Sequence, residues 1–507
     1  MGAAMKSKHL LILITILFFA GYSADLFANF AETYGCSAEG MARGNAMTAT
    51  VSDWSSVFYN VAGLGRTQGL TGQTAGTGGE MTLKLRKTEG EPEKKEIYPS
   101  QFAISVLYTF PKLNLSIKRF GTTAGGDFYP IKTEAAKMNP YGFTVIGGAL
   151  DINTIVKMPK FISSFRLGIG MGMNADLSLV KVNDLDPRTH NFMRYGREIQ
   201  NSAIMIGGGM GFMNDAFGGG IGVNVAFAGK GKMYMEAQLS ADPQVPLGQS
   251  TMDLTIAPGA IAGIYFSPGK LAPVIDGLDI GASYRQETQM KIDPFNAAAG
   301  ILGGVINMNL MTAIQDYYSP HSVTGGIAYT RWGLTISADV NWDMWSKSTI
   351  GKVMKNHYIG VPKFVDTLSY RGGIKYDIAP WPILSIMLGY SYVPSYIDKS
   401  AGTKLGIRVG PVDTKIQTGM YNFMDNDKHI ASIGFKFTVP KAWRLGGQFV
   451  AVLSYQFQYL APRSVAKNGL SWTDGVQDDL LETYMLNPSY SYGGMNHSMF
   501  VEVGMRL

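Results

Sequence analysis

Leu334-Thr335-Ile336-Ser337-Ala338-Asp339-Val340-Asn341-Trp342-Asp343-Met344-Trp345 divides cleanly by parity. Leu334, Ile336, Ala338, Val340, Trp342 and Met344 make one set, and Thr335, Ser337, Asp339, Asn341, Asp343 and Trp345 the other. Successive side chains of a strand point to opposite faces, so this split predicts a strand with one face in an apolar medium and the other in a polar one. The same parity returns along the chain. Ala431, Ile433, Phe435, Phe437 and Val439 oppose Ser432, Gly434, Lys436 and Thr438, and Leu278, Ile280, Ala282 and Tyr284 oppose Asp279, Gly281, Ser283 and Arg285. Leu384 to Tyr392, Phe449 to Tyr459 and Ser498 to Leu507 repeat it. Each run is about 10 residues, the length a tilted strand needs to cross a bilayer. Tyr390, Tyr392, Tyr455 and Tyr459 fall near strand ends, where a phenol reaches the headgroup level.

Composition agrees with strands in lipid. Of 507 residues 16% are charged, 46% are apolar and 62 are glycine, while the mean hydropathy is close to zero. That balance suits alternating strands better than long apolar helices. After the first apolar run no stretch of about 18 uninterrupted apolar residues follows. Lys6 and Lys8 precede that run, Leu10 to Ala20, and small residues come after it, so residues 1–28 read as a signal peptide cleaved after Ala28, or less well after Ala24. An exported apolar chain without spanning helices is expected to be an all-β, transmembrane antiparallel barrel. A soluble β-sandwich also alternates, but its strands are shorter and fewer. Counting from Gln101 yields 14 or 15 candidate strands, and an even number is expected, so 14 is the prediction. The weakest candidates are Gly142 to Thr154, Ile204 to Phe212, Gly218 to Phe227 and Val305 to Leu310; glycines there mark kinks, bulges or a close approach of something to the wall. Residues 29–80 lack such runs and suit a compact plug in the lumen, with a periplasmic tail as the alternative, and residues 81–507 form the barrel.

Several chemistries are not signalled. The single Cys36 excludes an internal disulfide and sits too far past the apolar run for lipid attachment. The six histidines, His9, His190, His321, His357, His429 and His497, have no metal-ligand spacing, and no Gly-x-Ser-x-Gly element appears. Asp427 near His429 would be the starting point for a lipid hydrolase, but residues of that kind at a strand end are ordinarily turn residues. Asp339 and Asp343 are expected to face the lumen and solvate it or pair with Lys or Arg. The net charge of +6 is scattered with no basic stripe, which speaks against nucleic acid. No enzyme activity and no cofactor are expected.

One segment carries a motif. Gly40-Met41-Ala42-Arg43-Gly44-Asn45-Ala46 is followed by Asp53, Ser55, Ser56 and then Phe58-Tyr59-Asn60-Val61-Ala62-Gly63-Leu64. This order resembles the plug of the FadL, TodX and outer-membrane protein P1 family of hydrophobic-compound channels, whose members have an aromatic-Asn-Pro-Ala-Gly-Leu element. Val61 stands in place of that proline, which puts the rigid turn in question. LDIGASYR at Leu278 to Arg285, the stretch from Pro320 to Trp345 and DNDKHIASIGF at Asp425 to Phe435 resemble the family's barrel, so the likeness runs from about residue 29 to the C-terminus and is loose between Pro130 and Asp276.

The resemblance implies a 14-stranded outer-membrane barrel, expected as a monomer in outer-membrane lipid, with an N-terminal hatch built on Gly40, Arg43, Gly44, Asp53, Tyr59, Asn60, Gly63 and Leu64. It implies uptake of a hydrophobic small molecule, a long-chain fatty acid or an aromatic hydrocarbon, with release past the hatch or through the barrel wall. Phe30, near the expected mature N-terminus, is implied as a ligand-pocket residue. Alternatives of other classes are a water-filled porin for polar solutes, a lipid hydrolase and a surface receptor.

Overall fold

The computed structural model describes residues 29–67, 100–122, 128–132, 139–156, 158–159, 161–174, 191–192, 194–195, 204–235, 248–290, 295–301, 306–312, 317–348, 364–378, 384–398, 407–409, 412–414, 423–442, 447–466 and 489–507. The expected signal peptide, residues 1–28, and the end of the expected plug, residues 68–80, lie outside them.

Fourteen wall strands follow in chain order: β1 (Gln101–Thr122), β2 (Tyr141–Asp151), β3 (Ile162–Asn174), β4 (Ile204–Phe212), β5 (Phe217–Met235), β6 (Gly248–Phe266), β7 (Leu278–Arg285), β8 (Ser322–Arg331), β9 (Leu334–Asp343), β10 (Thr367–Asp377), β11 (Leu384–Val393), β12 (Lys428–Ala442), β13 (Gly447–Ala466) and β14 (Ser489–Arg506). Each pairs antiparallel with its sequence neighbours, and β1 pairs with both β14 and β2, so the sheet closes on itself. Gln101 lies opposite Arg506 on one seam and Ala149 on the other. A closed barrel satisfies its backbone hydrogen bonds between strands, which is what a spanning sheet requires.

Burial follows the parity of the sequence. On β9, Leu334, Ile336, Val340 and Trp342 are exposed on the outside, while Thr335, Ser337, Asp339 and Asn341 are buried in the lumen. On β14, Met499, Val501 and Val503 face out and Ser498, Phe500 and Glu502 face in. An exterior this apolar is stable only against lipid. No described helix is long and apolar enough to cross a membrane.

Some elements differ from expectation. Ile306–Thr312 pairs only with Phe295–Ile301, as a separate two-stranded ribbon, so Val305 to Leu310 does not contribute a wall strand. β2 ends at Asp151, and residues Ile152–Thr154 turn into a 3₁₀ helix capped by the Asp151 carboxylate. β9 stops at Asp343, and Trp345 belongs to a short 3₁₀ turn. β14 begins at Ser489, nine residues before the alternation of Ser498 to Leu507, and β1 runs on to Thr122. On β1 the outward face changes from Tyr108 and Phe110 to Lys112, Asn114 and Ser116, so the strand continues beyond the lipid with its polarity reversed.

Connections at the Gln101 and Arg506 end are short, such as Trp332-Gly333 between β8 and β9, and those at the other end are long. Short turns mark the periplasmic side of such barrels, and long loops the outer surface.

Candidate functional site

Residues 29–66 lie within the barrel, built as three short helices, α1 (Asn29–Tyr34), α2 (Ala38–Ala42) and α3 (Ser56–Tyr59), followed by a 3₁₀ turn, Val61–Gly65. Helices this short are not stable alone, so the contacts around them hold their shape. Ser37 caps α2, its hydroxyl accepting from the Gly40 amide at 3.1 Å. Asp53 accepts from the Ser55 amide and hydroxyl at 2.9 and 2.5 Å. Asn60 caps the 3₁₀ turn by accepting from the Ala62 amide, and its Nδ2 donates to the carbonyls of Thr48 at 2.8 Å and Ile264 at 3.0 Å. One side chain thus closes the turn and ties it to the wall. Val61 is the first residue of that turn, so a 3₁₀ turn forms here without a proline.

The motif residues meet in pairs. A Cβ on Gly40 would lie 2.0 Å from the Tyr59 hydroxyl, so the glycine makes room for the tyrosine. Tyr59 donates to Asn45 Oδ1 at 2.7 Å and accepts from the Cys36 amide. Gly63 abuts the Val51 carbonyl, and Gly44, at φ +59°, touches the Tyr390 backbone. The Leu64 side chain packs on Gly168, and its carbonyl accepts from Arg166 Nε at 2.6 Å. Arg166 also donates to the carbonyls of Gly63 and Arg66, closing the end of the segment. Phe30 lies in α1, and its side chain is outside what the structure describes.

The wall receives this segment on inward glycines. A Cβ at Gly209, Gly220, Gly281, Gly373 or Gly389 would stand between 2.0 and 2.7 Å from backbone atoms of residues 43–62. Of the readings open for glycines in strands, close approach is the one that applies to the β4 and β5 pair, where Gly207, Gly209 and Gly220 face Val61 and Ala62.

Charges form the second tie. Lys436 donates to Glu39 Oε2 at 2.6 Å, Lys375 stands 4.0 Å from its other oxygen and Arg43 3.8 Å from it. Burial alone would raise the Glu39 carboxyl, but Lys436, Lys375 and Arg43 outweigh it and hold it well below the usual carboxylate range. Arg43 also donates to Ser337 Oγ at 3.0 Å. Asp339 accepts from the Thr48 amide at 2.9 Å, so its lumen role is to hold this segment. Glu502 accepts from the Ala38 amide and the Ser105 hydroxyl, each at 3.1 Å. Tyr34 bonds the Tyr141 hydroxyl at 2.8 Å and accepts from Asn496 at 3.0 Å; burial pushes its phenol up to about 12, so it stays neutral. Glu39, Lys375, Lys436, Asn45 and Arg166 were not singled out by sequence reasoning. For Lys375, Lys436 and Arg166 the signal is an inward-facing cation on a wall strand, as with Lys436 among Ser432, Gly434 and Thr438.

Toward the outer surface an aromatic group gathers next to Ser319, whose hydroxyl donates to Glu32 of α1. Trp345 and Tyr396 stack at 3.9 Å, with Tyr318 and Phe364 against Trp345. Arg194 lies over Tyr396, Lys428 over Tyr195, and both cations share Asp425, at 3.4 and 3.6 Å. Beneath the segment a cavity of about 320 Å³ opens among Glu39, Arg43, Asp53, Lys375 and Lys436.

A hydrolytic site is not assembled at Asp427 and His429. Asp427 accepts from the Ser395 amide at 2.8 Å, while His429, on the outside, is paired through Nδ1 with the Tyr390 hydroxyl. Cys36 is buried against the Ser55 carbonyl, and burial pushes its thiol up. Among the described residues no three His, Cys, Asp or Glu side chains gather as metal ligands would.

No protein-family model and no curated protein matches the chain. Among solved structures, a FadL homologue from Pseudomonas aeruginosa is similar over 93% of this chain and 97% of its own, with a TM-score of 0.51 and 12% identity. The Pseudomonas putida toluene transporter TodX covers 94% of this chain and 99% of its own, with a TM-score of 0.43 and 11% identity. The chain has the fold of the first: a closed 14-stranded antiparallel barrel whose lipid-facing wall places it in the outer membrane.

Proposed function

We propose that the protein is an outer-membrane channel for uptake of hydrophobic small molecules and that residues 29–66 act as its hatch. The observation that carries this is the occupied lumen: a segment buried on glycines and ion pairs leaves no open water column of the kind a porin needs. The shared fold with the Pseudomonas FadL homologue points the same way. Above the hatch, the stacked Trp345 and Tyr396 beside Arg194 and Lys428 pack on one another and are buried, so a ligand with an apolar body, either aromatic or amphiphilic with an anionic end, has to part them to bind there. Each buried methylene contributes roughly 0.8 kcal/mol, so a long acyl chain draws its affinity from such surfaces. Below the hatch the space is lined by charged side chains, Glu39, Arg43, Asp53, Lys375 and Lys436, together with the apolar Met47, Val51 and Leu278. Phe30, in α1, is the proposed ligand contact within the hatch.

The test is a titration of the detergent-solubilised protein with a fluorescent long-chain fatty acid, with toluene as competitor, and with planar-bilayer conductance in parallel. Saturable binding with low ionic conductance supports the channel, and competition by toluene would favour aromatic cargo. Large steady conductance in the intact protein without binding would return the polar-solute porin.

A further inference from the structure

The periplasmic turns carry large apolar side chains that are exposed and that no other described residue covers. Ile155 and Phe161 lie on the β2 to β3 connection, Met213 on the β4 to β5 turn, Leu271 and Val274 on the β6 to β7 turn, and Trp332 on the β8 to β9 turn. Val274 is 97% exposed and Trp332 82%. Strands β2 to β9 are consecutive neighbours in the wall, so these residues form one arc along about half of the rim.

The arc continues the lipid-facing surface. Met210 and Phe217 flank Met213, Phe266 and Ile280 flank the β6 to β7 turn, and Tyr329 and Leu334 flank Trp332; all six are exposed on the outside. The apolar band therefore runs into the turns, where Asn214, Lys270 and Arg331 are exposed among the apolar side chains. On β1 the other rim is different, since Lys112, Asn114 and Ser116 face outward before the strand ends. An isolated apolar residue on a surface needs no explanation, but a contiguous set does.

The β8 to β9 turn is built to present its indole. Trp332 has φ +53° and Gly333 φ +78°, the left-handed pair of a two-residue hairpin in which a bulky residue is disfavoured. The Arg331 guanidinium lies over the Trp332 ring at 4.3 Å and is exposed beside it. An indole with an adjacent cation matches a bilayer interface, where the ring sits at headgroup depth and the cation meets phosphate.

We propose that this arc inserts into the headgroup layer of the inner, phospholipid leaflet of the outer membrane, with Leu271, Val274 and Trp332 as apolar anchors and Arg331 on the lipid phosphate. The inner side of the β6 to β7 turn supplies Gly269, Lys270 and Asp276 to the cavity beneath residues 29–66. Just beyond it Asp279 accepts from Arg66 Nη1 at 2.9 Å, so lipid contact and the hold on the end of the hatch segment meet at one turn.

The test uses the full-length protein in phospholipid vesicles. Tryptophan emission is compared between wild type and Trp332→Phe, with lipids brominated near the headgroup and with aqueous iodide. The emission lost in Trp332→Phe is expected to be quenched by brominated lipid and shielded from iodide. Quenching by iodide with indifference to brominated lipid would overturn the proposal and turn attention to a soluble periplasmic partner. A nitroxide attached to Val274→Cys provides the second readout, since the buried Cys36 will not take the label. Greater collision with oxygen than with an aqueous nickel chelate is expected, and the reverse order would also overturn the proposal.

Discussion

Gly389→Ala isolates the docking of residues 29–66 from the integrity of the barrel. On β11 a Cβ at this position would lie 2.0 Å from the Gly44 nitrogen and 2.4 Å from the Arg43 carbonyl carbon. Both neighbours are backbone, and Gly44 is held at φ +59°, so no rotamer change relieves the clash. Reaching the 3.4 Å of ordinary contact separates segment and wall by about 1.4 Å. That shift breaks the bond from the Ser391 hydroxyl to the Gly44 carbonyl, 2.6 Å, and stretches the one from Arg43 to Ser337, 3.0 Å. Overpacking costs roughly 1–3 kcal/mol and each buried hydrogen bond about 1 kcal/mol, so docking weakens by about 3 kcal/mol, on the order of a hundredfold in undocked segment. Alanine is compatible with a strand, so the wall should persist. The assay is limited proteolysis of residues 29–66 in detergent, read beside bilayer conductance, and both cleavage and conductance should rise. Gly372→Ala is the control, because a Cβ there meets nothing within 4 Å. Equal protection of the segment in wild type and Gly389→Ala would refute backbone docking on glycine.

Three further outcomes are expected. Glu39→Gln leaves Lys436, Lys375 and Arg43 without their shared carboxylate and should destabilise the docked segment by about 3 kcal/mol, while adding Lys436→Met should recover part of that loss in a double-mutant cycle of thermal unfolding. Two carboxyls of the segment act oppositely with pH. Burial, aided by Asp343, raises Glu32 to about 7 against Arg285 and the Ser319 hydrogen bond, so its contribution is full below pH 4.5 and lost as pH rises through 7; Glu39 is lowered, so its contribution is full above pH 4.5 and lost as pH falls below that. Glu32→Gln should therefore flatten the dependence of protease protection between pH 5 and 8, and an unchanged profile would remove Glu32 as its cause. Arg166→Met withdraws the donors that hold the carbonyls of Leu64 and Gly63 and should raise cleavage near residue 66 by an order of magnitude, with the N-terminal end at Tyr34 still protected.

The barrel was legible because a lipid-facing strand writes its two environments at alternate positions, and β7, β9, β11, β12, β13 and β14 all do so. Where the environment changes, the text changes. Above the lipid β1 exchanges its faces at Lys112, and the residues that β14 adds from Ser489 to Gly494 lie opposite Leu113 to Lys118 of that upper part, so alternation marks only the spanning part. The ribbon at Ile306–Thr312 shows the converse: Ile306, Met308 and Leu310 against Asn307 and Asn309 alternate well enough to form a strand, and parity alone does not say which sheet the strand joins.

For residues 29–66, the motif placed the residues that hold the segment to itself, Gly40 with Tyr59 and Asn60 with Ala62, because those partners are close in sequence and their spacing is part of the motif. The residues that hold it to the barrel were harder to find, since Glu39 and Lys436 are 397 positions apart and only the closed wall brings them together. Yet the wall does carry a signal for its half of the contact. Gly209, Gly220, Gly281, Gly373 and Gly389 all occupy the inward parity of their strands, and each faces backbone of residues 43–62. An empty lumen would gain nothing from glycine there, where a larger side chain would fill space and strengthen the strand. Inward glycines recurring on β4, β5, β7, β10 and β11 therefore state that something solid presses on the wall at that level. Read with strand parity, they predict both the presence of an internal segment and the strands it touches before any contact is seen.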